Sequence, residues 1–325
     1  DFLTALCPTK YNPDASQSAW KAFLEAIFDG NEELITFVQR LFGYFLTGSV
    51  SEHVFPVFYG DGANGKSTLI NVFFDVLGED YTMKASSDLL IKQRRQQHPT
   101  EKRDLFGKRF VAAVETNEGQ QLNEALIKEL TGGDKVRARG MNENFWEFAP
   151  THKIVMCSNS KPRVSGTDHG IWRRIALIPF DVRFWDPDRE SGPPHLKQVK
   201  DLHNKLLKDR EGILAWAVEG CLQWQADGLQ QPSVVDDATI AYRSEEDVLQ
   251  LFLDDCCAIK ADASEKQQKL FARFLDWAKE YKEQPVGRTT FGKRLESRGF
   301  KHKTSNGKTF YGLQLKESEN KPVSK

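Results

Sequence analysis

Between residues 54 and 78 the chain runs from an apolar stretch through a glycine-rich loop into an amphipathic stretch, and this unit limits the fold more than any other. The loop reads Gly60-Asp61-Gly62-Ala63-Asn64-Gly65-Lys66-Ser67-Thr68, a complete G-x-x-x-x-G-K-[ST] phosphate loop. Ahead of it, residues 54–59 suit a strand. Behind it, Leu69, Ile70, Val72, Phe73, Val76 and Leu77 recur at helical spacing until Gly78. Strand, loop and helix in that order form the setting in which such a loop binds a nucleoside triphosphate. Gly60, Gly62 and Gly65 let the backbone turn successive N–H groups toward one anion, and the helix that follows aims its positive end at it. Lys66 is expected at the β- and γ-phosphates of that triphosphate, with the Ser67 hydroxyl on Mg2+.

A loop of this kind sits on a parallel sheet, and further strands are legible. Residues 81–85 suit a short strand. Residues 109–115 read as a buried strand ending in the carboxylate of Glu115, with Glu118 close behind. A carboxylate at the end of a neighbouring strand holds the Mg2+ shell and polarises the attacking water. Either glutamate can serve as the base. Residues 153–159 form another apolar strand, ending in Asn159, an amide suited to the γ-phosphate or the lytic water. Arg173 and Arg174 precede a last strand, 175–180. They are structural, or one of them is an arginine finger that a neighbouring subunit inserts.

Around this core, Ser16 and Asn31 are candidate caps for two N-terminal helices, and Asn123 for a helix that Gly132-Gly133 ends. Residues 135–148 alternate on two arms about a Gly/Asn-rich centre, the pattern of a β-hairpin. Lys135, Arg137 and Arg139 fall on one face of its first arm, with Asn142 and Asn144 at the tip. That spacing suits the phosphates of single-stranded DNA, and it also suits an edge strand protected by charge. Residues 92–103 form a polar, basic loop. From residue 260 onward there are sixteen Lys and Arg against eight Asp and Glu. There, helices precede a hairpin signalled by Asn306-Gly307, the order of a winged helix-turn-helix. Its second helix would enter a duplex or fork; protein contacts are the other use of such a domain. The expected domains are therefore a helical one (1–50), an α/β P-loop ATPase (51–235) and the winged one (236–325).

Composition excludes some alternatives. The net charge is −1, so any nucleic-acid site must be a local patch. The five cysteines lack C-x-x-C spacing, which favours reduced thiols over zinc. No secretory segment or membrane-length apolar run is present, so a soluble, cytoplasmic protein without membrane partners is expected. The chain opens on Asp1 rather than Met, which fits a piece of something longer.

Taken together, the phosphate loop, Gly43-Tyr44-Phe45-Leu46-Thr47-Gly48, Leu130-Thr131-Gly132-Gly133-Asp134, Ser158-Asn159-Ser160-Lys161-Pro162 and Gly170-Ile171-Trp172-Arg173-Arg174 resemble the superfamily 3 helicase module of phage, plasmid and poxvirus primase-helicases. The resemblance spans nearly the whole chain. It implies an AAA+-like core in a hexameric ring that hydrolyses ATP between subunits and draws DNA through a central channel. It also implies Glu115 as the Walker B carboxylate, Asn159 as the sensor, Arg173 or Arg174 as the finger acting in trans, and residues 135–148 as the element gripping DNA. Many members carry two adjacent acidic residues after the Walker B strand, whereas Thr116 and Asn117 follow Glu115 here. A primase domain, if present, would lie upstream. An ATP-regulated replication initiator without processive unwinding is the alternative, and the Arg pair and basic hairpin argue against a P-loop kinase.

Overall fold

The computed structural model describes residues 4–93, 100–114, 120–141, 143–164, 169–281, 283, 285–304 and 307–316. The chain divides into two compact units, 1–242 and 243–325. In chain order the first contains α1 (Ser18–Ile27), α2 (Glu32–Leu46), β1 (Phe55–Tyr59), α3 (Lys66–Leu77), β2 (Thr82–Ser86), α4 (Thr100–Arg103) and β3 (Phe110–Val114). It continues with α5 (Glu124–Leu130), β4 (Val136–Ala138), β5 (Trp146–Phe148), β6 (Lys153–Ser158), α6 (His169–Trp172), β7 (Ile175–Pro179), α7 (Leu202–Leu207) and α8 (Arg210–Asp227). Helix α9 (Ser233–Glu245) runs across the boundary.

Local chemistry sets several ends. The Asn31 side chain accepts the Leu34 N–H at 3.0 Å and starts α2, and Asn123 does the same for Leu126 at 3.2 Å in α5. Ser16 does not cap α1, whose N-cap is Gln17 without a side-chain bond; the Ser16 hydroxyl lies 2.9 Å from that of Ser18 instead. Gly78 ends α3 at φ +79°, a backbone state that only glycine enters without strain.

The sheet is parallel, in the order β2-β3-β6-β1-β7. From β1 the chain goes out to β2, returns through β3 and β6, and then crosses to the far side of β1 for β7. The loop after β1 therefore lies where strand order reverses, the place at which open α/β sheets bind ligands. Both faces are covered, so the strands read as apolar runs rather than alternations. Phe110, Ala112, Val155 and Phe58 face one core, with α2, α3 and α8. Val111, Ala113, Ile154 and Val57 face the other, with α5 and the β4–β5 pair.

No break in the core falls near residue 50. The Phe42 ring of α2 meets Phe73 of α3 at 4.5 Å and Phe58 of β1 at 6.3 Å, so this helix forms one wall of the sheet. Helices α2 and α8 touch backbone to backbone. A Cβ on Gly43 would sit 2.0 Å from the Cys221 nitrogen, and one on Gly220 would sit 2.1 Å from the Gln39 carbonyl oxygen.

The second unit contains α10 (Val248–Cys256), β8 (Cys257–Lys266), α11 (Gln267–Glu280), α12 (Arg288–Ser297), β9 (His302–Thr304) and β10 (Lys308–Leu315). Its three strands form an antiparallel sheet in the order β8-β10-β9. The core centres on Phe252, Phe274 and Phe291, with ring centroids 4.9 Å apart for the last pair.

Candidate functional site: a phosphate cleft at the carboxyl edge of the sheet

The loop between β1 and α3 is held from behind. The Asn64 amide donates to the Phe180 carbonyl at 3.1 Å, and the Phe184 N–H donates to the Ala63 carbonyl at 2.8 Å. A Cβ on Gly60 would meet that same Phe180 oxygen at 2.2 Å, and one on Gly65 would meet Ile27 of α1 at 2.5 Å. Gly65 sits at φ +91° as the N-cap of α3. The loop conformation is thus imposed by β7's exit and by α1, and glycine is required at both points.

In front of the loop lies a cleft of about 270 Å³ lined by residues 62–68, Val114, Cys157, Ser158 and Asn159. These residues come from the ends of β1, β3 and β6, so the sheet brings Asn159 beside the phosphate loop. Ser67 and Asn159 are exposed to the cleft. Lys66 is 5% exposed, and its ammonium donates to the carbonyls of Gly60 (2.5 Å) and Asp61 (3.3 Å) and to Asn64 Oδ1 (3.0 Å). Burial, the largest effect, pulls its pKa below the usual lysine value, which Cys157 and Asp61 partly oppose. Glu115 and Glu118 lie outside the described residues, though Val114, the last residue of β3, reaches the cleft.

The arginine pair lies elsewhere. Arg173 and Arg174 precede β7, and the Phe55 N–H donates to the Arg174 carbonyl at the first rung of the β1–β7 ladder. Both therefore stand at the amino edge of the sheet, a five-residue strand or about 15 Å from the cleft. Their environments differ. Arg174 is 8% exposed and donates to Thr131 Oγ1 at 3.1 Å and to the Gly170 carbonyl at 2.6 Å. Arg173 is exposed and makes no side-chain hydrogen bond or ion pair among the described residues.

The β4–β5 pair forms the expected hairpin, with Arg137 opposite Glu147. Val136 and Ala138 are fully buried while Lys135 and Arg137 are exposed and Arg139 is half-buried, so the alternation does sort core from solvent. Asn144 is exposed, and Asn142 lies outside the described residues. The sequence pattern did not single out Phe145. Its ring is 46% exposed and lies under both guanidiniums, 4.4 Å from Arg137 and 4.7 Å from Arg139. Met141, 77% exposed, lies on the loop between the two strands. An aromatic face flanked by cations is the composition with which proteins grip single-stranded nucleic acid, by stacking and by phosphate attraction. An exposed aromatic in a hairpin loop was the available signal.

Among the described residues no cluster of three or more His, Cys, Asp and Glu side chains is placed to hold a metal, and no helix is long and apolar enough to cross a membrane. The Ser67 hydroxyl, on the first turn of α3 and open to the cleft, fits one position of a Mg2+ shell shared with phosphates.

Residues 58–174, which hold the loop, the hairpin and the arginine pair, match the model of DUF5906, described as a family of unknown function. A protein of Acanthamoeba polyphaga mimivirus named "putative helicase" is 27% identical over 272 residues, covering 80% of this chain and 28% of that protein. A protein of Frog virus 3 with the same kind of name is 24% identical over 268 residues, or 79% of this chain and 27% of that one. A "putative primase" of African swine fever virus, strain Badajoz 1971 Vero-adapted, is 30% identical over 202 residues, 60% of this chain and 20% of the relative. The chain thus spans between 20% and 28% of the length of these relatives. Among solved structures, the NrS-1 C-terminal region aligns with a TM-score of 0.54 at 12% identity, covering 97% of this chain and 80% of that one, so the mixed α/β fold with its five-stranded parallel sheet is shared with that region.

Proposed function

We propose that this chain is the ATP-hydrolysing motor of a DNA-replication helicase, working as a ring of like subunits. One observation carries the reading: the phosphate cleft and Arg173 occupy opposite edges of one parallel sheet. An arginine at the amino edge cannot reach its own chain's cleft, but it suits the cleft of a neighbour packed edge to edge. The likeness to viral proteins named as helicases and primases supports a role in replication, and the cations around Phe145 on the hairpin support contact with DNA.

In this reading the N–H groups of residues 62–67 and the start of α3 cradle the β- and γ-phosphates of ATP. Lys66 exchanges its carbonyl partners at Gly60 and Asp61 for phosphate oxygens, which restores the compensating negative charge that its burial lacks. Ser67 and Glu115 would hold Mg2+, which would supply charge neutralisation on the phosphates. Asn159 orients the attacking water, and one of the two glutamates takes its proton. Arg173 of the adjoining subunit stabilises charge on the transferred phosphoryl group, while Arg174 fixes the turn from which Arg173 projects. Changes in subunit contact move the hairpin, whose Arg137, Arg139 and Phe145 hold single-stranded DNA. The second unit, with the exposed Arg288, Thr290 and Lys293 on α12 and Lys301 and Lys303 beside it, serves as a winged domain for duplex or fork.

The test is unwinding of a forked duplex with ATP, alongside ATP turnover with and without single-stranded DNA. The expected result is DNA-stimulated turnover and unwinding. Arg137→Ala with Arg139→Ala should cut unwinding about tenfold or more and leave ATP binding intact. ATP turnover that ignores DNA, with no unwinding, overturns the motor reading.

A further inference from the structure

A second cavity lies against the other side of the phosphate loop. It encloses about 480 Å³, a size suited to a heteroaromatic ligand, and Ala63, Gly65 and Thr68 line both it and the phosphate cleft. The loop is therefore a shared wall, and a molecule with its phosphates on one side can place its other end in this pocket. One wall of the pocket is a flat strip of α1, where Ala19, Ala22 and Ala26 expose only methyl groups beside the Phe23 ring. The opposite wall is residues 184–199, tied back on themselves by backbone bonds from Trp185 to Leu196 (2.9 Å) and from Gln198 to Trp185 (3.0 Å).

The pocket's polar groups are unequal. His195 and Lys197 are exposed, whereas Gln198 is half-buried and its amide has a fixed orientation. Gln198 Nε2 donates to the Phe184 carbonyl at 2.9 Å, and a carbonyl can only accept, so nitrogen and oxygen are assigned by chemistry. One N–H and the Oε1 atom remain. That pair of groups matches the edge of adenine, where the 6-amino group donates and N7 accepts, and mismatches a 6-oxo purine, where both atoms accept.

We propose that this pocket holds the adenine ring of the nucleotide whose phosphates lie on residues 60–67, and that Gln198 selects it against 6-oxo purines. The proposal rests on the reading of the loop as a triphosphate site. Selection by Gln198 also ties base recognition to the loop, because Phe184, whose carbonyl orients the amide, is itself hydrogen-bonded to Ala63.

The experiment measures equilibrium binding of ATP, inosine triphosphate and inorganic tripolyphosphate to the whole chain in Mg2+ buffer. The wild-type protein should bind ATP about tenfold or more tightly than inosine triphosphate, the size expected for a buried hydrogen-bond mismatch. Gln198→Ala should bring that ratio close to one with tripolyphosphate binding unchanged. Ala22→Trp, on an exposed helix face where the fold tolerates bulk, should weaken both nucleotides about tenfold or more and spare tripolyphosphate. A wild-type ratio near one, or a ratio that Gln198→Ala leaves unchanged, overturns the selection by Gln198. ATP binding that survives Ala22→Trp overturns the pocket while leaving the loop reading in place. A wild-type protein that binds neither ATP nor tripolyphosphate overturns both.

Discussion

The two edges of one parallel sheet carry buried cations in opposite circumstances. At the carboxyl edge, Lys66 is buried against three oxygens of its own loop but faces an open cleft. At the amino edge, Lys153 donates to the carbonyls of Thr47 and Thr151, and its ammonium lies 5.1 Å from the Tyr44 ring. Beside it, the Arg109 guanidinium lies where a Cβ on Gly48 would stand 2.8 Å away. These cations meet the carboxyl end of α2, where the helix dipole and spare carbonyls favour positive charge. The chemistry is alike at both edges, and accessibility separates them. A buried lysine with a cleft in front of it can trade partners for a ligand, whereas one sealed behind a helix end can only contribute to, or subtract from, stability.

Arg173 tests that division most severely, because it stands at the amino edge and is exposed. Arg173→Ala should lower ATP turnover about a thousandfold, in the range of arginine-finger losses, with an unchanged melting temperature. Mixed with Lys66→Ala protein, it should regain part of that turnover, since a ring of both variants contains interfaces with one intact cleft and one intact finger. Arg174→Ala should act differently and cost about 2–3 kcal/mol of stability, because Thr131 and Gly170 lose a buried charged partner. No recovery on mixing would remove the trans assignment.

Next in size is the contrast between the lysines themselves. Lys66→Ala should lower turnover about a hundredfold or more, as loss of a preorganised charge at the phosphates does, and leave unfolding nearly unaltered. Lys153→Met should leave turnover within about twofold of wild type. If the two variants lose activity equally, the edges are not functionally distinct.

His152, also at the amino edge, extends the comparison to acid. Burial, with help from the Lys153 charge, lowers its pKa to about 4. Between pH 6.5 and 4 the unfolded chain then binds the proton that the folded chain refuses, so stability falls as pH falls through that window and levels off below it. The shift corresponds to about 3 kcal/mol, an order-of-magnitude figure. Chemical unfolding of wild type and His152→Asn at pH 7 and pH 4.5 should show the acid loss in wild type and a smaller one in the variant.

What could be read in advance follows from how local each feature is. The phosphate loop, the caps at Asn31 and Asn123 and the two apolar strands expected at residues 109–115 and 153–159, which the fold forms as Phe110–Val114 and Lys153–Ser158, are encoded by consecutive residues or by short periods, and they were legible. Strand β8 was not, because it is an edge strand with only Cys257 and Ala263 buried along its length and no apolar alternation to mark it. Helix α9 was missed for a similar reason, since Val235 and Tyr242 are its only fully buried residues. The roles of Thr47 and Thr131 were invisible because each depends on a partner far along the chain, Lys153 for one and Arg174 for the other. The difference between Arg173 and Arg174 likewise needed three dimensions: neighbours in sequence, they differ only in which one points into the core.

The smallest effect concerns alkali. Burial, with a lesser contribution from the Arg109 charge, lowers the Lys153 pKa to about 7. Between that value and the ordinary 10.5 the unfolded chain holds one more proton than the folded chain, so stability rises with pH across this window, at up to about 1.4 kcal/mol per pH unit. Above about pH 9 the thiols of Cys157 and Cys257, which burial raises to about 12, act in the opposite sense, because the unfolded thiols ionise first. The clean measurement is therefore the difference in unfolding free energy between wild type and Lys153→Met at pH 7 and pH 9. Wild type should gain about 2 kcal/mol relative to the variant over that interval. A flat difference would mean that Lys153 stays charged at neutral pH, held by the carboxyl end of α2, and the amino edge would then be a paired cation site like the carboxyl one.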